Sequence, residues 1–469
     1  MSIDEFSLFS RLYSSAVFQD FEDHARPDIQ SRPVEDVVLQ LKAMGKNRVL
    51  DFPFPSPPEE MQIQTAERHL VKLGALEQDT LKITNLGRTI SHFPVAPKYG
   101  KMLALSHQHN LTQHTITMVA ALSMQEVLLE TPIGNHVDAF NKHDLAQIRA
   151  KWAGSGNTLL LGDPMVLLSA IYATEYAGCT RDFCDRHGLR FNAMQEIRKL
   201  RRQLANEMST LKVVLDPKTI APDQTEAFLL RQILLAGLAD QVAHRIPLEE
   251  LPIGEDKKKL KFAYFTRTME QPVFLHSLSI LKVNPPDFVV YQEIYEVQGK
   301  MYMRGVTAID PEWLPEFCPL DCTLSKPLTD REPFYDAERG EILTFRTGTF
   351  GERGWILPLL KTVHPVASDR TKYFAKFLLE GEIFPALKPY KEELLSSPVA
   401  MIKTWGSLHA KRIKPIFETL LSYEVDSKAK FVKVLQETNP KFLLKQYLLW
   451  LDEKWHNEIT KLWIDLVLE

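Results

Sequence analysis

LVKLGALEQDTLKITNLGRTISHFPVAPKYGKML, from Leu70 to Leu103, decides how the first part of the chain is read. Its opening residues close a helical pattern running from Glu59 to Leu73. That pattern stops at Gly74, since glycine takes the left-handed conformation that ends a helix. The next residues, Ala75 to Phe93, read as a short strand and a turn, with a break at Gly87. Upstream, VEDVVLQLKAM (Val34 to Met44) puts its apolar residues on one helical face before Gly45. Between the two helices, FPFPSPP (Phe52 to Pro58) must be extended, because each proline fixes its own φ and biases its predecessor away from helix. Two helices and a small strand pair make a winged-helix-like unit over residues 31–95.

Beyond it, residues 96–220 are helical almost throughout. Phe191, Met194, Ile197, Leu200, Leu204, Met208 and Leu211 recur at three- and four-residue steps, which is one face of a long helix. Residues 221–318 change character. After a helix over Phe228 to Val242, the stretches LKFAYFT, PVFLHSLSIL, FVVYQEIYEV and MYMRGVTAI predict short strands of a small barrel. Pro319 to Pro333 reads as a connector, and a few strand-like runs follow. Residues 369–469 return to helix, with Trp405, Trp450, Trp455 and Trp463 as packing anchors. The expected fold is multidomain, mainly α, with a β-barrel.

A length of 469 residues predicts three or four domains. Hydrophobic residues at 45% rule out wholesale disorder. Lys plus Arg number 56 against 60 Asp plus Glu, so any nucleic-acid binding must come from local patches. No apolar run approaches the roughly 18 residues of a membrane span, and MSIDEFSLF lacks the basic start of a signal peptide. Four cysteines cannot form a disulfide framework; Cys179, Cys184, Cys318 and Cys322 read as reduced thiols in a reducing compartment. The chain has no G-x-x-x-x-G-K-[ST] phosphate loop, no dinucleotide fingerprint, no G-x-S-x-G elbow and no H-E-x-x-H. His107, His109 and His114 lack an acidic companion and read as polar helix histidines. Motifs alone show no catalytic site and no metal site.

The most informative local charge lies between Arg186 and Arg202. There Arg186, Arg190, Arg198, Lys199, Arg201 and Arg202 stand against Glu196 alone. Arg198, Arg201 and Arg202 are expected on the face opposite the apolar stripe. Such a face can track phosphates, or it can be a solvated face with partners four residues away. In GKMYMRGVTAID, Tyr302 and Arg304 share one side of a strand, which suits base stacking and phosphate contact. The plain alternative is a core tyrosine and a rim arginine. His276 and Ser279 in FLHSLSIL could reach phosphates or serve a turn. Lys257, Lys258, Lys259 and Lys261 read as solvated loop charge.

Several blocks, in order, resemble DEAH-box RNA helicases. RLYSSAVF (Arg11 to Phe18) is similar to the segment after their last helicase motif. The stretch from Leu70 to Leu103 resembles their winged-helix domain, and GDPMVLLSAIY with FCDRHGLRFNAMQEIRKLRRQL their ratchet-like helical domain. AFLLRQILLAGLADQVAHR and FVVYQEIYEVQGKMYMRGVTAIDPEWL resemble their oligonucleotide-binding (OB) fold. WILPLLKTVHP, YFAKFLLEGEIF, LLSSPVAMIKTW and NPKFLLKQYLLWL are similar to the C-terminal extension of the ribosome-biogenesis subfamily.

The resemblance implies residues 1–30 as the segment after a second RecA-like domain, then winged helix (31–95), ratchet-like domain (96–220), OB-fold (221–318) and a subfamily C-terminal domain (319–469). It implies a parent activity of ATP-driven RNA unwinding, with ATP and Mg²⁺ as the parent's cofactors. The RecA-like motor domains that would hold them are not among these residues, so a C-terminal fragment with no cofactor of its own is expected. Implied partners are single-stranded RNA (U3 small nucleolar RNA or pre-rRNA) and an activating protein of the small-subunit processome. A monomer in the nucleolus, off the membrane, is expected. Expected RNA contacts are Arg190, Arg198, Arg201 and Arg202 on the ratchet-like domain, and His276, Ser279, Tyr302 and Arg304 on the OB-fold. The alternative is a protein-interaction scaffold without RNA binding; the Trp-, Phe- and Leu-rich helices after Thr371 read as a docking surface.

Overall fold

The structure, a computed structural model, describes residues 13–21, 27–124, 126–129, 142–213, 220–247, 260, 262–403 and 410–466. Lys257, Lys258, Lys259, Lys261, Arg11 and Trp405 lie outside the described residues. Two compact units are present, Met1–Ile309 and Asp310–Glu469. Among the described residues no helix is long and apolar enough to cross a membrane.

In the first unit, helices α1 (Glu35–Ala43) and α2 (Glu60–Lys72) pack through Val38, Leu39, Ile63, Ala66 and Leu70. A reciprocal capping box of Glu59 and Gln62 starts α2, and Gly74 at φ +74° follows its end. A Leu76–Ile83 bridge makes the small wing, and Thr84 caps α3 (Asn85–Ser91) through its hydroxyl. Gly87 does not break this element as expected; it is inside α3. A Cβ there would lie 2.1 Å from the Ala75 carbonyl oxygen, so glycine is demanded by close approach.

Glu35 on α1 and His69 on α2 stand 2.9 Å apart. The hydrogen bond to Glu35 raises the His69 pKa, more than burial lowers it. Burial works to raise the Glu35 carboxyl, but the bond to His69 and nearby positive charge hold it below its usual value. The histidine contribution is therefore complete below about pH 6.5 and lost as pH rises through the raised pKa. The glutamate contribution is lost as pH falls through the depressed one. Wild type should lose stability relative to His69→Gln between neutral and alkaline pH, by a small and salt-sensitive amount since His69 is half exposed. Parallel pH-dependent melts of the two proteins check this.

The ratchet-like layer comprises α4 (Pro97–Ser106), α5 (Thr112–Leu122), α6 (Lys142–Ala153), α7 (Gly156–Leu161), α8 (Asp163–Tyr176), α9 (Arg181–Arg186) and α10 (Phe191–Thr210). Helix α11 (Gln224–Gly237) follows, ending before Val242, which opens a strand rather than closing the helix. His114 is buried, not a surface histidine: its Nδ1 is 2.8 Å from the Tyr172 hydroxyl. Cys179 and Cys184 are buried and unpaired.

Seven strands then form one curled sheet. They are β1 (Val242–Arg245), β2 (Ala263–Thr266), β3 (Val273–Leu275), β4 (Phe288–Val290), β5 (Glu293–Val297), β6 (Lys300–Arg304) and β7 (Thr307–Ala308). Their spatial order is β5-β6-β3-β2-β1-β4-β7, with β3–β6 parallel and the other pairs antiparallel. Tyr264, Val273, Leu275, Val289 and Met303 fill its interior. Gln298 and Gly299 both have positive φ, which suits a two-residue hairpin turn between β5 and β6.

The second unit holds two three-stranded sheets, Leu360–Val363 with Glu341–Arg346 and Phe334–Asp336, and Trp355–Ile356 with Gly348–Phe350 and Cys322–Leu324. Its helices close over Phe374, Phe384, Phe431, Trp450 and Trp463. Trp450 and Trp463 are fully buried, so they are core rather than docking surface. Half-buried Trp455 donates its indole N–H to Glu393 at 3.0 Å.

Candidate nucleic-acid interface

The hairpin turn at Gln298–Gly299 fixes which side chains meet. Counting outward from it, Tyr295 on β5 faces Tyr302 on β6, and Glu293 faces Arg304. The parallel neighbour β3 sets Phe274 beside Tyr302. Three aromatic residues thus cross three adjacent strands in register. The ring centroids are 6.2 Å apart for Phe274–Tyr302 and 6.3 Å for Tyr295–Tyr302. His276 adds a fourth ring, 5.8 Å from Tyr302 and nearly perpendicular to it. All four are half-buried. The Arg304 guanidinium lies 4.5 Å from the Tyr295 centroid and is held by Glu293 at 3.0 Å. Lys300 lies 5.8 Å from the Phe274 ring. Flat apolar faces beside cations can stack bases and neutralise phosphates.

This face borders a cleft between the sheet and the ratchet-like helices. Glu126, Arg149 and Asp163 line its helical side; His276, Tyr295 and Arg304 line its sheet side. Asp163, the first residue of α8, ties the two sides together. Its carboxylate accepts from the Ser279 hydroxyl at 2.9 Å and the Val306 N–H at 3.0 Å. Burial pushes the Asp163 carboxyl above its usual range, against the lowering effect of those bonds and of Arg149. Arg149 in turn donates to the carbonyls of Leu278 and Leu129, at 3.3 and 2.9 Å. The cleft walls are therefore held in fixed relation by buried polar contacts.

The predicted residues separate on this frame. His276, Tyr302 and Arg304 come together on the sheet face. Ser279 does not reach outward for a phosphate: it is buried and its hydroxyl is committed to Asp163. On α10 the buried residues are Met194, Ile197, Leu204 and Met208, and Arg201 falls within that stripe where Leu200 was expected. Arg201 is not on the face opposite the stripe. Its side chain is only 15% exposed, beside Glu175 at 3.4 Å and over the Tyr172 ring. Arg198, 46% exposed, shares Glu175 at 3.0 Å, and Arg190 pairs with Glu126. Arg202 is exposed, and its Nε donates to the Arg198 carbonyl. Sequence reasoning missed Phe274, Tyr295 and Arg149. The hairpin count would have found Tyr295; no local signal marks Arg149.

Among the described residues, no set fits ATP with Mg²⁺. The sequence has no phosphate loop, and among the described residues no three His, Cys, Asp or Glu side chains group as metal ligands.

Comparison with known proteins agrees with the layers. Residues 66–95 match the winged-helix part of the helicase-associated (HA2) family, and residues 96–167 its ratchet-like part. Residues 230–320 match an OB-fold family, and residues 386–467 the DEAH helicase DHX37 C-terminal domain. The chain is 44% identical to the probable ATP-dependent RNA helicase kurz of Drosophila melanogaster, over 97% of this chain and 40% of the relative. It is 42% identical to the probable ATP-dependent RNA helicase DHX37 of Homo sapiens, over 97% and 41%. Identity to the putative ATP-dependent RNA helicase rha-2 of Caenorhabditis elegans is 35%, over 97% and 40%. The chain thus spans about 40% of the length of these curated relatives. Its winged-helix, ratchet-like, OB-fold and C-terminal domains are those of the C-terminal region of DEAH-box RNA helicases of the DHX37 and kurz type.

Proposed function

We propose that this chain holds single-stranded RNA for an ATP-driven helicase motor and docks its regulators, and that it acts as a monomer. The observation carrying this reading is the in-register row of Phe274, Tyr302 and Tyr295 with Arg304, at the mouth of a walled cleft. Stacking on such a row is tolerant of sequence, because every base has a π-face. The resemblance of the C-terminal blocks to the ribosome-biogenesis subfamily supports a finer reading. In it the parent helicase uses ATP and Mg²⁺ to unwind RNA during 18S rRNA maturation in the nucleolus. Release of U3 small nucleolar RNA, with activation by a processome protein, belongs to the same reading.

The test is binding of labelled oligouridylate by the purified chain across a salt series. Affinity should fall with salt, each phosphate contact adding about 0.7 to the log–log slope for a single strand. The same preparation is expected to release no phosphate from ATP above background, with or without RNA. RNA-stimulated hydrolysis by clean protein would contradict it. A second reading, a protein-interaction scaffold, is favoured by one observation: Arg190, Arg198 and Arg201 are already paired with Glu126 and Glu175. A folded chain that binds no RNA at low salt would establish that reading instead.

A further inference from the structure

The ratchet-like layer carries a second group of stacked rings that the cleft does not use. Phe183 on α9 and His187 just beyond it lie 4.0 Å apart between centroids, with their planes 24° from parallel. Trp152 on α6 continues the column, 5.8 Å from His187 and 28° from parallel. His187 Nδ1 lies 2.8 Å from the Phe183 carbonyl oxygen, which accepts its proton and fixes the ring. A stack that served only as core would be buried. All three residues are instead partly exposed.

Two connections join this column to the cleft. Gly188, next to His187, accepts the Leu129 N–H at 2.9 Å, and Arg190 donates its N–H to the Val127 carbonyl at 3.0 Å. Val127 and Leu128 are cleft wall. Arg149, also cleft wall, stands one helical turn before Trp152 on α6. Lys151 and Arg186, adjacent in sequence to Trp152 and His187, are exposed, and Arg186 pairs with Asp182. A strand leaving the cleft along this wall meets near-parallel aromatic faces.

We propose that Trp152, His187 and Phe183 form a second base-stacking station for single-stranded RNA, continuous with the cleft. The inference rests on the RNA-holding reading and adds a place and a length to it. A base has the same flat π-face as these rings and extends the column without reading sequence.

The experiment measures anisotropy of labelled oligouridylates from about 4 to about 16 nucleotides, the range of OB-fold site sizes. Variants are Trp152→Leu, Phe183→Leu and Trp152→Phe, each checked by a thermal melt. The Trp152 carbonyl is held independently by the Ser169 hydroxyl, so its backbone does not depend on the ring. Both Leu variants should bind the shortest RNA like wild type and lose about tenfold on the longest. Their salt slope should not change, since no cation is removed. Trp152→Phe should restore most of the loss. Equal affinity of folded Leu variants and wild type at every length would overturn the inference, while RNA binding lost on Tyr302→Ala would leave the RNA-holding reading standing. A loss equal at all lengths would also overturn it. A wild type that binds no RNA at any length would remove the RNA-holding reading itself.

Discussion

Tyr295→Ala with Tyr302→Ala is expected to cut affinity for single-stranded RNA by at least about tenfold. Stacking of one base on one aromatic side chain is worth about 1–3 kcal/mol by alanine substitution. The two tyrosines are direct cross-strand neighbours, so two successive bases lose their platform together. Because no cation is lost, the log–log salt slope should stay that of wild type. Arg304→Ala should behave differently. It removes a cation and leaves Glu293 facing the strand unpaired, so affinity falls and the slope flattens. Both tyrosines are half-buried on the outer face, and the interior is filled by Met303 and its neighbours. The variants should therefore melt close to wild type. A folded double variant with wild-type affinity would show that the row is a structural patch, and the cleft would lose its strongest argument.

How much of this was legible beforehand depends on the range of the interactions. The winged helix could be read from Gly74 and the helical patterns, because caps and periodicity act over one or two turns. The β5–β6 hairpin is equally local: Gln298 and Gly299 set its register, and Tyr302 and Arg304 fell on one face as the alternation requires. Gly87 was misjudged because its reason is not local. The Ala75 carbonyl that excludes a Cβ comes from a separate segment of the wing. The Ser279 hydroxyl is likewise committed by a distant partner, since Asp163 approaches it from α8 across more than a hundred residues of chain. The cationic helix shows a subtler limit. A hydrophobic count prefers Leu200 over Arg201 for the inner face, yet Glu175 and Tyr172 on α8 face the half-buried Arg201 guanidinium. Alternating three- and four-residue steps from Met194 through Ile197, Arg201 and Leu204 to Met208 set the rotation of α10, and partner chemistry on α8 lets an arginine stand in that stripe.

That rotation makes the last prediction a contrast within one helix. Ile197 is fully buried on α10, so Ile197→Ala should cost about 2–5 kcal/mol of unfolding free energy. Arg201→Ala should also destabilise, by about 1–3 kcal/mol, since it removes a charged hydrogen bond and the guanidinium over the Tyr172 ring. Arg202→Ala, one residue on and exposed, should change stability by no more than about 0.5 kcal/mol. Urea titrations of the three variants measure all of this. RNA binding then separates the roles of the two arginines. If Arg202 touches phosphate, its loss lowers the salt slope by about 0.7 with folding intact. Replacing Arg198, Arg201 and Arg202 together cannot answer the question, because it mixes unfolding with lost contacts. If Arg201→Ala proved as neutral as Arg202→Ala, the inward placement of Arg201 would be wrong and α10 would present one continuous cationic face.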